Sequence, residues 1–81
     1  MIVDPKVKID IDTELDAAYI NFINAPIDAR DQIDTEELED GIFRTYNENK
    51  SYITYRYAIL DFSYNDKEHL SKLTGIDLTK V

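Results

Sequence analysis

Carboxylates are the first candidates for chemistry in this chain. Asp10, Asp12, Glu14 and Asp16 recur at every second residue, the rhythm with which a calcium loop sets oxygen ligands around a hard cation. The rest of that motif is missing. Ile11 and Leu15 interrupt the set, no glycine permits the sharp turn in its middle, and Asn21 stands on an expected strand where a bidentate glutamate would close the site. A solvated hairpin turn, with Asp12, Thr13 or Asp16 bonding backbone amides, is the expectation, and no metal. His69 is the single histidine; as an acid or base it needs a positioned partner, for which Asp66, three residues back, is the local choice. Ser51, Ser63 and Ser71 lie in no nucleophile elbow, and Gly41 and Gly75 alone cannot build a phosphate-cradling loop. The expectation is no catalytic residue, no cofactor and no enzyme.

Recognition is a different matter. Asp31, Asp34, Glu36, Glu37, Glu39 and Asp40 crowd one decade that holds no base, in a chain of net charge -8. Like charges so packed repel one another and every anionic surface, so the run must lie in water or face a basic partner. A second group combines Arg44 with Tyr46, Tyr52, Tyr55 and Tyr57, with Arg56 beside them. Tyrosine offers contact area at low entropy cost and arginine offers forked hydrogen bonds, which is why both concentrate at interface hot spots. The same residues are ordinary strand formers, so sheet packing is the competing reading.

The elements that must carry these groups follow from the pattern. Lys6 to Asp12 alternates polar and apolar strictly, which predicts a strand with Val7, Ile9 and Ile11 on one face. Ala17 to Ile23 resumes after a polar turn and completes an antiparallel hairpin, with Ala18, Ile20 and Phe22 facing the core, until Pro26 removes an amide donor. Ile27 to Thr35, anchored by Ile27, Ala29 and Ile33, reads as an edge strand. Glu39-Asp40-Gly41 turns into a strand over Ile42 to Tyr46; Asn47 to Lys50 closes the next hairpin, with Asn49 as its left-handed residue. Ser51 to Phe62 is the longest strand candidate, apolar on both faces and hence central or covered. A helix over Asp66 to Leu73, capped by Asn65 with Glu68 completing a capping box and ended by Gly75, supplies the cover through Leu70, Leu73 and Ile76. The polar tail to Val81 is expected to be mobile.

Eighty-one residues without an internal repeat or linker make one small domain, 1–81. With 43% hydrophobic residues the chain folds, and with no cysteine it must do so by packing alone. Met1-Ile2-Val3-Asp4-Pro5 lacks the cationic and apolar regions of a secretory signal, and no stretch has the about 18 apolar residues of a membrane span. A cytoplasmic protein is expected, and Asn49-Lys50-Ser51 is then no glycosylation site. The class is α+β, mainly β: a small antiparallel β-meander of about five strands with one short C-terminal helix.

Two stretches, Ile9 to Ile20 with its Asp16-Ala17-Ala18-Tyr19-Ile20 segment, and Glu39-Asp40-Gly41-Ile42 leading to Ala58-Ile59-Leu60-Asp61-Phe62-Ser63, resemble the prokaryotic domain-of-unknown-function 2283 family. Its members open on a Tyr-Asp-x-x-x-Asp-Ala-x-Tyr-Ile pattern and close near Glu-Ile-Leu-Asp-Ala-Ser. The resemblance implies a β-meander followed by a short helix, and a setting among toxin-like, phage or mobile-element genes. It implies no activity.

Nine basic residues against seventeen acids oppose direct binding of nucleic acid or anionic membrane. The expected function is a non-catalytic acidic protein-binding module, antitoxin-like or an inhibitor, that engages a basic partner such as a nucleic-acid-binding protein or toxin. The alternative is a homo-oligomeric accessory domain, in the simplest case a homodimer, joined through its tyrosine-rich sheet.

Overall fold

The computed structural model describes residues 6–28 and 30–80. Five strands come first, β1 (Val7–Asp12), β2 (Ala17–Phe22), β3 (Ile33–Glu39), β4 (Ile42–Asn47) and β5 (Thr54–Ile59), followed by a 3-10 turn (Phe62–Tyr64) and one helix, α1 (Lys67–Thr74). They form one sheet of order β1-β2-β5-β4-β3 in which every pairing is antiparallel. The expected α+β class is thus realised with a meander-like order: the β1–β2 hairpin abuts the β3–β4–β5 meander through β2 and β5. Doubly apolar β5 takes the central place that its composition requires.

Strand register decides which side chains share a face. Ile9, Ile20 and Tyr57 lie in one row, and Ile11, Ala18, Ile59 and Ile42 in the next, on the same face. Ala18, Ile20, Ile42, Tyr57 and Ile59 from this face join Phe62, Leu70, Ile76 and Leu78 in a single core, with Val7, Ile9, Phe22, Leu38 and Leu73 at its margin. The helix is set on the sheet by its ends. Asp66 is the N-cap and accepts from the Glu68 amide at 3.0 Å, and Gly75 takes the left-handed C-cap conformation at φ 76.

Several expectations are corrected in detail. The edge strand is Ile33–Glu39, not 27–35: Asp28 and Asp31 lock the preceding segment into a turn, with the Asp31 amide on the Asp28 carbonyl at 2.9 Å and the Asp28 amide on the Asp31 carboxylate at 2.9 Å. The expected anchor Ala29 lies outside the described residues, as does Val81. The last strand ends at Ile59 because Asp61 turns left-handed at φ 51, which sends Phe62 into the 3-10 turn. Asn65 does not cap the helix, since its side-chain amide donates to the Leu60 and Asp61 carbonyls at 3.2 and 2.9 Å. Asn49 is not left-handed. The positive-φ non-glycine residues among those described are Asp16 and Asp61, and the β4–β5 loop is instead held by the side-chain Oδ1 of Asn47 accepting from the Asn49 and Lys50 amides at 2.9 and 3.0 Å. The tail is anchored, not mobile, at Leu78, which is completely buried and whose amide donates to Ser71 Oγ at 2.8 Å.

Candidate functional site

The acidic decade becomes an edge strand, and this dictates its geometry. Because neighbouring strand residues point to opposite faces, Asp34, Glu36 and Glu39 fall on the helix side, opposite Tyr46, Arg44 and Ile42, whereas Glu37 falls on the other side opposite Phe43. A register shift between Glu37 and Glu39 turns Leu38 toward the core margin. The charge is therefore split over both faces of one sheet edge.

Two of the six carboxylates find side-chain donors of the chain itself. Glu36 sits 3.6 Å from Arg44 Nη1, and Glu39 receives His69 Nε2 from α1 at 2.7 and 2.9 Å. An ionised carboxylate only accepts, so Nε2 carries the proton there. His69 thus meets Glu39 of the edge strand and not Asp66, whose carboxylate is committed to the helix cap. The other four meet backbone or water. Asp31 closes its turn with Asp28, Asp34 accepts from the Thr35 amide at 2.8 Å, Glu37 reaches the Gly41 amide at 3.4 Å, and Asp40 stands exposed in the β3–β4 turn. None of these four has an ion-pair partner among the described residues.

The aromatic and arginine group does not form one surface. Arg44 is its hub: Nε donates to Thr54 Oγ1 at 2.8 Å, Nη2 to the Ser51 carbonyl, and the guanidinium lies 4.8 Å from the Tyr46 ring centre. Tyr46 is half-buried, and burial first, then the charges of Asp34, Glu36 and Glu48, push its hydroxyl above 10.0. Tyr55 is a tie: its hydroxyl donates to the Pro26 carbonyl at 3.2 Å and accepts from Asn47 Nδ2 at 3.0 Å. Tyr57 is core, 8% exposed and edge-on to Phe22 at 5.8 Å, so it is unavailable to a partner; its alternation partner Ile59 fixes it on the covered face. Tyr52 alone projects freely, at 82% exposure on the β4–β5 loop.

Sequence reasoning missed the cluster where the two hairpin systems meet. Asp16, left-handed at φ 51, accepts from the Ser63 amide at 3.1 Å and from Ser63 Oγ at 2.6 Å, while the Phe62 amide donates to the Asp16 carbonyl at 2.9 Å. Asp12 meanwhile caps its own turn by accepting from the Glu14 and Leu15 amides. Asp12 and Asp16 thus bind amides and a hydroxyl, Asp10 lies 3.8 Å from Lys8 Nζ, and no group of three or more side chains that could hold a metal occurs among the described residues. Both stretches that carry the family resemblance meet at this contact, and that coincidence was the available signal. Arg56 over the Tyr19 ring at 4.3 Å, on the sheet face away from the helix, was missed as well.

No helix among the described residues is long and apolar enough to cross a membrane. No protein-family model, curated protein or solved structure matches the chain.

Proposed function

We propose that the chain is a non-catalytic acidic binding module whose edge strand β3 engages a basic protein, in the manner of an antitoxin or an inhibitor that covers a nucleic-acid-binding surface. One observation supports this reading above the others: Asp31, Asp34, Glu37 and Asp40, on β3 and the turns at its two ends, have no ion-pair partner among the described residues. Complementary potentials of this kind raise encounter rates and reject like-charged partners. Glu36 and Glu39 are held by Arg44 and His69, so they shape the edge and contribute less to its free charge. Membership of the domain-of-unknown-function 2283 family and a prokaryotic cytoplasmic setting belong to the same reading.

The test replaces Asp31 and Asp34 with Asn, Glu37 with Gln and Asp40 with Asn. An amide oxygen still accepts, so the backbone bonds made by Asp31, Asp34 and Glu37 survive while the charge is removed. Capture from the native lysate at low salt should yield a basic protein that elutes as salt rises and that the variant fails to retain. Equal retention by the variant defeats the reading.

A homo-oligomeric accessory domain is the second reading. It is favoured by the sheet face away from the helix, where Tyr19, Phe43 and Ala58 remain partly exposed. Sedimentation over a concentration series distinguishes the two, because a strict monomer excludes it.

A further inference from the structure

A cleft of about 570 Å³ opens at the end of the sheet where β2 stops and β5 begins. Its size is that of small-molecule pockets, which span about 300–1,000 Å³. Phe22, Pro26, Ile53 and Tyr57 give it apolar walls, and Phe22 and Tyr57 already pack edge to face. Tyr52 stands at the rim with its ring exposed to water. The two threonines in the lining have commitments elsewhere: Thr54 Oγ1 accepts from Arg44, and Thr74 Oγ1 donates to the Leu70 carbonyl and accepts from the Ile76 amide.

The charge at this place runs against the charge of the molecule. Lys6 is the single charged residue among those lining the cleft, it is exposed, and it makes no ion pair among the described residues. It precedes β1, the edge opposite β3, so four strand spacings separate the two edges. At about 4.8 Å per spacing the acids on β3 act from roughly 19 Å, about two Debye lengths at physiological salt. An anion held at Lys6 therefore meets little opposition from that strand, whereas the Thr54 end of the cleft is only two spacings from Asp34.

We infer that this cleft binds a small aromatic carboxylate, its ring system against Phe22, Ile53 and Tyr52 and its carboxylate on the Lys6 ammonium. One anionic group on a flat apolar body matches a site that offers rings, one cation and threonine hydroxyls already spoken for. The site is separate from the acidic edge and does not depend on the function proposed for it.

Naphthalene-1-acetate and its neutral amide, 1-naphthaleneacetamide, serve as probes, titrated into the full chain and followed through backbone amide resonances. The acid should give saturable shifts at Ala25, Ile53, Thr54 and Thr74, on both sides of the cleft. Lys6→Gln should weaken the acid by up to about fivefold, the upper end for an exposed ion pair, and leave the amide unchanged. Tyr52→Ala should weaken both probes. Lys6 and Tyr52 are exposed, so neither variant threatens the fold. Shifts that never saturate, shifts scattered away from the cleft, or equal binding of acid and amide would each overturn the inference. So would cleft resonances that move on dilution of the protein alone, since a second copy would then fill the space.

Discussion

Asp16 shows how much one side chain can do in a chain this small. It turns the first hairpin in a left-handed conformation and simultaneously holds the connection after β5, forty-seven residues along, through Ser63. Asp16→Ala removes both the charge-assisted bonds and the tolerance of positive φ that aspartate has over alanine. A loss of about 1–3 kcal/mol in urea unfolding is expected. Ser63→Ala should cost less, because the Ser63 amide still donates, and the double variant should fall short of the sum, as residues in direct contact do. An additive pair would show that Asp16 acts through its turn alone. The sequence left Asp12, Thr13 or Asp16 as the residue bonding amides in this turn; it carried no information on the distant partner, because that partner is chosen by how β5 ends.

At the scale of elements, polar and apolar alternation located β1, β2 and β4 closely, since each has one face in the core and one outside. It found the edge strand but misplaced its bounds, 27–35 for Ile33–Glu39, because an edge strand needs only one hydrogen-bonded neighbour and can hold charges in water on its free side. It failed after α1. Leu78 follows the helix in a polar tail, yet it is as buried as Leu70 and closes the core beneath the sheet. Leu78→Ala should therefore cost about 2–4 kcal/mol in chemical denaturation, comparable to Leu70→Ala. Leu60→Ala, at a position 42% exposed, should change stability by well under half as much. A Leu78 variant as stable as the parent would mean that the tail is not part of the core.

For the whole molecule, charge is the dominant long-range term. A net charge of -8 on 81 residues makes the folded state repel itself, so the urea midpoint at neutral pH should rise on adding salt, which screens that repulsion. Acid acts in the opposite sense through particular groups. Backbone and side-chain bonds with Arg30 hold Asp28 below 3.8, and bonds from the Thr79 hydroxyl and amide hold Asp77 below the same value. A carboxylate depressed in the folded state adds stability that is complete above the unfolded value and disappears as pH falls through the folded one. Unfolding followed from pH 5 downward should thus show a loss beginning near 4, and Asp77→Asn should flatten it. Composition and alternation alone determined that this chain is a small, acidic, mainly β protein with a covering helix, because burial of apolar surface at strand and helix periods is a local property of sequence. Tertiary structure alone decided that the acids occupy an edge, that Arg44 and His69 engage two of them, that Tyr57 is lost to the core, and that a cleft with Lys6 in its lining opens at the end of the sheet. Each of those depends on which strands become neighbours, and the order β1-β2-β5-β4-β3 is set by the packing of the entire core.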